Sequence, residues 1–509
     1  MSCGNLLLTL TGEQDCYLTF EPQITLFLYV YKRHTNFALD TLKIFPISQN
    51  NNTFGSKYSF IIPKAGDLLS KTYIRIKIPE IILNNNNNNM NNDINKYLQI
   101  YKDLYILINN FCKAENNNNV KKIQEKIQKY FCNNELILEF KEFLENNNFF
   151  NYIFKWHDFD PYLLTLINTK ELLKENINHL IYRIKLLIQK INNNNDNNNI
   201  ISGAWVKRLG HAIIKTISVY IGGNKIDEHD GNWLNVWYSL TKKIDMKHVY
   251  NKMIGNVKIL NKYNKKNKPK YTLFIPLRFW FCQYYENSLP LLCLQYNDVR
   301  IDLELNKFCK IFNTNSDIIY NKYKNHYLDV SLYANYIYLD ELEREKFARG
   351  SVDYIINQLQ IYQIYTNEQD ILANLDIFAH PSREIIWTIQ SSKLINYNNY
   401  YEMDNATIIF GSDNLTDRYN KEYYNYIQSY LYHTSSQKGI YIYSFSLIPE
   451  NLQNSGSANL SVIKGPKLQI QLNKDRIDIK ENKLITIYSR NINILRFYSG
   501  FGNLGFTYG

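Results

Sequence analysis

Val219-Tyr220-Ile221-Gly222-Gly223-Asn224-Lys225-Ile226 runs parallel in residue type to Ile408-Ile409-Phe410-Gly411-Ser412-Asp413-Asn414-Leu415. Each is an apolar strand end, a glycine-bearing tight turn that accommodates positive φ, and an apolar residue on which a partner strand resumes. Acidic residues and an aromatic-rich segment follow in both, Trp233 to Tyr238 in one and Tyr419 to Tyr426 in the other. Downstream, each half carries three β-rich landmarks in the same order. They are 271–281, 291–305 and 330–339 in the first half, and 439–448, 458–472 and 484–498 in the second. Identity between the halves is low, but a shared hairpin followed by a shared order of strands is the mark of a duplication. Two copies of one β-sandwich are predicted.

The rest of the chain fits that frame. Further strands are expected at 15–31, 57–62, 72–78, 213–221, 353–362, 384–390 and 405–410. Alternation is clearest in Arg300-Ile301-Asp302-Leu303-Glu304-Leu305 and Lys467-Leu468-Gln469-Ile470-Gln471-Leu472, the period of a half-buried strand. Many strands with few helices mean sandwiches or barrels. Asp340-Glu341-Leu342-Glu343-Arg344-Glu345-Lys346-Phe347 reads as a short polar helix joining the copies.

The sharpest shift in composition is a low-complexity block with Asn runs at 84–89, 116–119, 192–195 and 197–199. Inside it Ile177, Leu180, Ile184, Leu187 and Ile191 recur with helical spacing. Residues 84–200 are therefore expected to be a mostly helical insertion with flexible polar joints. Such an insertion costs little if its ends lie close together. The expected fold is all-β: two tandem jelly-roll sandwiches, 1–340 and 350–509, with a linker helix at 341–349 and the insertion in the first.

A chain of 509 residues is too long for one ordinary core. Apolar residues make up 45% and aromatic residues 15%, with 43 Tyr, a side chain suited to half-buried sheets and subunit contacts. Asn, Ile, Lys and Tyr all have AT-rich codons, a duller source of the same bias. The net charge of +11 comes from scattered lysines without an Arg-rich patch, so no direct nucleic-acid contact is expected. Lys265, Lys266 and Lys268 read as a solvated loop. Seven widely spaced cysteines, an odd count without CxxC, argue against a zinc site and against a disulfide framework and fit a reducing compartment. Met1-Ser2-Cys3-Gly4-Asn5 lacks the basic start and apolar core of a signal peptide, so cytosolic folding is expected. No stretch approaches the roughly 20 apolar residues that span a bilayer.

Signs of chemistry are sparse. Asp227-Glu228-His229-Asp230 is the best metal candidate by residue type. Adjacent strand residues point alternately to opposite faces and do not converge on one ion, so a solvated hairpin end is expected instead. The nine histidines are isolated in sequence. Nucleophile-elbow, phosphate-loop and zinc-protease motifs are absent. Gly500-Phe501-Gly502-Asn503-Leu504-Gly505 has no following helix to cradle a phosphate and reads as a mobile or docked tail. Sequons at Asn51, Asn405, Asn414 and Asn459 are expected by chance in an Asn-rich chain, yet they are the candidate glycosylation sites. No catalytic residue, cofactor or metal set is predicted, and the chain is not read as an enzyme. The rival of another class is a carbohydrate-binding sandwich, marked by exposed aromatics or by paired carboxylates about 5–10 Å apart.

Several motifs resemble the major capsid proteins of nucleocytoplasmic large DNA viruses. Asp15-Cys16-Tyr17-Leu18-Thr19, Pro22-Gln23-Ile24-Thr25 and Tyr31-Lys32-Arg33-His34-Thr35-Asn36-Phe37-Ala38 are similar to that family's opening. Ile62-Pro63-Lys64-Ala65-Gly66-Asp67-Leu68, Gly210-His211-Ala212-Ile213-Ile214-Lys215 and Ile221-Gly222-Gly223-Asn224-Lys225-Ile226-Asp227 follow in order. So do Trp233-Leu234-Asn235-Val236-Trp237, Pro276-Leu277-Arg278-Phe279-Trp280-Phe281 and Leu289-Pro290-Leu291-Leu292. In the second half Leu339-Asp340 with Glu343-Arg344 and Phe347-Ala348, His380-Pro381, Tyr443-Ser444-Phe445-Ser446-Leu447 and Asn493-Ile494-Leu495-Arg496 look like the family's later motifs. The turn Phe410-Gly411-Ser412-Asp413, the segment Gln283 to Pro290 and the 84–200 insertion depart from its pattern.

The resemblance implies a double jelly roll that trimerises into pseudo-hexameric capsomers tiling an icosahedral shell. Its partners would be itself, minor capsid and penton proteins, and an internal membrane lying nearby but not spanned. It implies a place in the virion, assembled in the host cytoplasm, with the insertion on the capsomer's exterior or sides. A related double-jelly-roll assembly scaffold or minor capsid component is the alternative.

Overall fold

The computed structural model describes residues 19–25, 27–29, 31–47, 52–83, 201–391, 395–397, 399–473 and 482–507. The insertion 84–200, with its expected helices, and the sequon at Asn51 lie outside the described residues.

Among the described residues, eight strands form the two main sheets of the first half: β1 Phe37–Ile44, β2 Lys57–Ile62, β3 Leu68–Ile78, β4 Ile214–Ile221, β5 Asn224–Asp230, β6 Tyr271–Pro276, β7 Val299–Leu305 and β8 Asp329–Leu339. Eight more form the two main sheets of the second: β9 Val352–Thr366, β10 Asp370–Asn374, β11 Pro381–Ser391, β12 Met403–Phe410, β13 Asp413–Asn414, β14 Ile440–Ser444, β15 Lys467–Leu472 and β16 Lys483–Tyr498. The first half's sheets run β1-β8-β3-β6 and β2-β7-β4-β5. The second half's run β9-β16-β11-β14 and β10-β15-β12-β13. Adding eight to every label of the first pair gives the second pair. This is the two-sheet, eight-strand jelly roll, made twice.

Period-two patterning explains why these segments are strands. In β7, Val299, Ile301, Leu303 and Leu305 are buried while Arg300, Asp302 and Glu304 face outward. In β15, Leu468, Ile470 and Leu472 do the same. Fully burying such an apolar side chain contributes about 1.5–3 kcal/mol, so a one-residue slip of register would forfeit the whole face. One core lies around Trp205, Trp280 and Phe279 of the first half and takes in Ile356, Leu495 and Phe497 of the second; the other, around Trp387, Tyr424 and Tyr441, lies within the second half. The two matched hairpins of the sequence are β4–β5 and β12–β13, with Gly222, Gly223 and Gly411 at φ 58°, 90° and 66°.

Some expectations need correction. Residues 19–31, within the 15–31 segment, form no strand among the described residues. Their apolar side chains stand in the open, Phe27 being 97% exposed. The first strand comes later, at β1, where a partner edge on β8 exists for it. The segments 271–281 and 439–448 end as strands at Pro276 and Ser444, and β10 was missed because only Ile371 and Ala373 turn inward from its five residues. Lys268 does not sit in solvent. A backbone bridge to Ile81 holds it, and its buried ammonium donates to the Lys262 carbonyl (2.7 Å) and to Asn264 Oδ1 (2.8 Å).

That loop also locates the insertion. Ile81 bridges Lys268 and Gly203 bridges Asn264, so the described chain leaves and re-enters the first sandwich at one short stretch. Close ends keep the closure entropy of a long insertion small.

Between the halves, helix α1 (Gly231–Thr241) follows β5, and helix α2 (Glu341–Ala348) follows β8. Asp340 caps α2 by accepting from the Glu343 N–H at 2.9 Å. Arg344 on α2 reaches back to Asp67 beside β3 with two hydrogen bonds of 3.1 and 3.0 Å, fixing the connector to the first sandwich.

Candidate functional site, the seam between the sandwiches

The residues with the most unusual environments meet where the halves touch. Asp230 ends β5 and caps α1, its Oδ1 accepting from the Trp233 N–H at 2.6 Å. The cap turns the chain so that Trp233, Val236, Trp237 and Leu240 line one face of α1. That face packs on Leu359, Ile386, Tyr400, Ile440, Ile442 and Tyr488 of the second half. Trp233 and Trp237, one helical turn apart, stack at 5.5 Å. All of these side chains are buried, so the seam resembles a core more than a loose contact between domains.

A polar network is threaded through it. Tyr488 donates its hydroxyl proton to the Asp230 carboxylate at 2.9 and 3.0 Å. Burial pushes the Asp230 carboxyl up to about 6, although the Trp233 N–H and Tyr488 O–H oppose the rise. Asn232 donates to Thr388 Oγ1 (2.9 Å) and Tyr488 Oη (2.8 Å), while its carbonyl accepts from Tyr400 (2.7 Å) and Gln390 (2.5 Å). Every hydrogen-bonding position of that buried amide is filled. Asp227 Oδ1 accepts from the Leu359 N–H at 3.0 Å, its Oδ2 lies 3.2 Å from His229 Nε2, and Gln358 donates to the Ile226 carbonyl.

Asp227, His229 and Asp230 are thus buried, which overturns the reading of this quartet as a solvated hairpin end. The reason is tertiary: the edge strand β5 abuts β9, whose Leu359 N–H replaces water at Asp227, while the Trp233 N–H and the Tyr488 hydroxyl replace it at Asp230. The quartet does not converge. Asp227 turns to β9, Asp230 to α1 and Tyr488, and Glu228 to Ser218 and Lys225. Among the described residues no group of three or more His, Cys, Asp or Glu is placed to hold a metal.

A second cluster lies on the same outer face of the β9-β16-β11-β14 sheet. Glu384 is fully buried between His433 Nε2 (2.9 Å) and the Arg490 guanidinium (3.1 Å). The Arg490 guanidinium lies 4.2 Å over the Trp237 ring and also donates to the Pro449 carbonyl at 2.6 Å. His433 Nδ1 meets Glu450 Oε1 at 3.1 Å. Burial alone would lower the His433 imidazole, but the Glu384 and Glu450 carboxylates outweigh it and lift it to about 9. Burial alone would raise Glu384, but His433 and Arg490 hold it down at about 2. Arg383, lowered to about 10 by burial and by Arg490, donates to the carbonyls of Asn451 (2.7 Å) and Leu452 (3.1 Å). Each charge has a partner, and the arrangement fixes positions.

The remaining sequence candidates are dispersed. Asn405 is half-buried in β12, donating to Gln471 and accepting from Arg418. Asn414 is exposed in β13. Asn459 is exposed beside β11, accepting from the Ser461 N–H. Gly500 and Ser499 turn the chain at positive φ into strand β17, Phe501–Leu504, which docks on β16. A cleft of about 670 Å³ runs along the seam between β5, β9 and β17. Its two carboxylates, Asp227 and Glu228, are adjacent in one strand and both engaged within the chain. Sequence reading missed Asn232, Glu384, His433 and Tyr488. The one local signal for the seam was the Trp233–Trp237 pair.

Comparison with known proteins agrees with the architecture. The family model for the major capsid protein N-terminus matches residues 25–148 and 177–340, and that for the large eukaryotic DNA virus major capsid protein matches 343–503. The major capsid protein of Pyramimonas orientalis virus is 25% identical, covering 100% of both chains. The quasi-atomic model of the PBCV-1 virus capsid superposes with a TM-score of 0.62 at 19% identity, covering 95% of this chain and 100% of that one. The Faustovirus major capsid protein gives 0.60 at 10% identity, covering 96% and 94%. With matches spanning both sandwiches, the chain belongs to the major capsid protein family of large eukaryotic DNA viruses.

Proposed function

We propose that this chain is the repeating structural unit of a viral shell, acting by assembly and not by catalysis. Three copies form a trimer of pseudo-sixfold outline, and such trimers tile an icosahedral capsid. The observation that carries this reading is the repeated strand order of two sandwiches locked by one buried seam. A rigid pair of like units, taken three times, gives six similar sandwiches around an axis. Its working divisions are 1–340, the connector 341–349, and 350–509. Minor capsid and penton proteins are its further partners in the virion, assembly takes place in the host cytoplasm, and an internal membrane lies nearby. Asn414 and Asn459 present exposed acceptors for glycans; peptide mass spectrometry of purified particles checks them.

The test is solution mass by light scattering on the full chain. A mass near three times 60.5 kDa supports the reading; a monomer at every concentration overturns it. Abundance in purified virions separates a major shell protein from a scaffold or a low-copy component.

A further inference from the structure

Both sandwiches place a helix in the same slot, after the β4–β5 hairpin in the first and after the β12–β13 hairpin in the second. In the first it is α1, covered by the outer face of the β9-β16-β11-β14 sheet. In the second, a π-helical stretch Tyr423–Ile427 runs into helix α3, Gln428–Tyr432. Tyr424 anchors this element to its own sandwich against Trp387. Its opposite side carries Tyr426, Ile427, Tyr430 and Leu431, all exposed, Tyr430 by 88%. Four large apolar side chains on one helical face make an uncovered patch.

The sheet that would match it is on the first sandwich. Strands β1-β8-β3-β6 occupy the positions that β9-β16-β11-β14 occupy in the second. Ile74, Ile76 and Leu332 of that sheet point into the core. The alternate residues Tyr73, Tyr333 and Phe274 point outward and are half-exposed. Tyr73 and Tyr333 stack at 5.2 Å, 5° from parallel, and Phe274 lies 6.3 Å from Tyr73. This is an aromatic platform on the counterparts of the strands that receive α1 in the second sandwich, and on the same outer face.

We infer that the Tyr426–Leu431 face docks on the Tyr73–Tyr333–Phe274 platform of a second copy of this chain, repeating between chains the contact that α1 makes within one. The inference rests on the trimer reading and names the surfaces that close it. A contact of helix to next sheet is head-to-tail, and head-to-tail contacts close into a ring when the rotation per step divides a full turn, as the six steps of the trimer reading require. Within the chain the step joins the first sandwich to the second. Between chains the same step joins the second to the next first, so three copies complete the ring with every such face covered.

The experiment places a photoreactive p-benzoylphenylalanine at position 430 of the full chain and mixes isotope-labelled with unlabelled copies before irradiation. Mixed-label adducts to peptides containing Tyr73, Phe274 or Tyr333 are expected; inter-copy adducts confined to other peptides overturn the inference. In parallel, Tyr430→Asp with Leu431→Asp is expected to lower the trimer association constant at least tenfold, with an unchanged circular dichroism spectrum, while Tyr430→Phe retains association. A wild-type trimer together with an equally trimeric double variant sinks this contact and leaves the trimer reading standing. A monomeric wild type sinks the trimer reading itself.

Discussion

The two sandwiches share a strand order but not a surface, and one pair of charges makes the contrast plain. In the first, Arg75 on β3 meets Asp329 on β8 at 3.4 Å, partly in solvent and shared with Lys77. In the second, Glu384 on β11 meets Arg490 on β16 at 3.1 Å, fully buried beneath α1. The counterpart pair of strands holds an outward-facing ion pair in both, directly opposed in the second and diagonal in the first. What differs is the cover. The two halves keep one topology and differ in which neighbour each face meets, so the cost of an ion pair follows the neighbour and not the fold.

The comparison breaks first at Glu384. Glu384→Ala leaves the buried Arg490 without a carboxylate and His433 with Glu450 alone, and a loss of about 3–5 kcal/mol in denaturant unfolding is expected. A loss below about 1 kcal/mol would mean that solvent reaches the seam and that the two ion pairs are alike.

The pH profile comes next. His433 in the folded protein sits at about 9, above its ordinary 6.5. Its contribution is therefore fully present below pH 6.5 and lost as pH rises through about 9. Glu384, held at about 2, contributes above its ordinary 4.5 and loses that contribution as pH falls through about 2. Stability from the cluster is thus greatest between pH 4.5 and 6.5. Raising the pH from 6 to 10 should cost up to about 3 kcal/mol, and His433→Gln should flatten that slope in unfolding titrations. An unchanged slope in the variant would assign the pH response to other groups.

The hairpin glycines sharpen the contrast at a smaller scale. A Cβ at Gly222 would collide with the Asn297 side chain, whereas at Gly411 it would meet only the Lys464 carbonyl at 3.6 Å. Both positions have positive φ, which alone costs an L residue about 1–2 kcal/mol. Gly222→Ala should lower stability more than Gly411→Ala does, and equal midpoints in thermal melts would refute the asymmetry. The smallest effect belongs to the exposed pair: Asp329→Ala should cost no more than about 1 kcal/mol, and less at high salt.

The parts legible in the sequence are those governed by near neighbours. The β4–β5 and β12–β13 turns declare themselves by glycine, and β7 and β15 by strict alternation, because turn geometry and pleat are local properties. The 15–31 segment misled for the same reason: β-branched and aromatic residues mark strands only where a partner edge exists, and none is paired with Phe27 or Tyr29 among the described residues. The seam was illegible. Asp227 meets Leu359, Asp230 meets Tyr488, and Glu384 meets Arg490. Each pair is separated by more than a hundred positions and carries no spacing rule. A quartet such as Asp227 to Asp230 is polar by composition and buried by context, and composition alone says solvent.

The register of β16 has a bearing on how the molecule is made. It hydrogen-bonds β9 from Val352↔Phe497 to Thr366↔Lys483 and β11 on its other side. The strand synthesised last among the eight therefore occupies a central place in its sheet. A nascent chain that has passed residue 339 already owns all eight strands of the first sandwich. One halted before residue 483 has a second sandwich whose β9 and β11 each face an empty row of amides. Translation that stopped short would leave the second sheet open at its middle and the first core without Leu495 and Phe497, so the completeness of each copy is registered in whether its own middle has been filled.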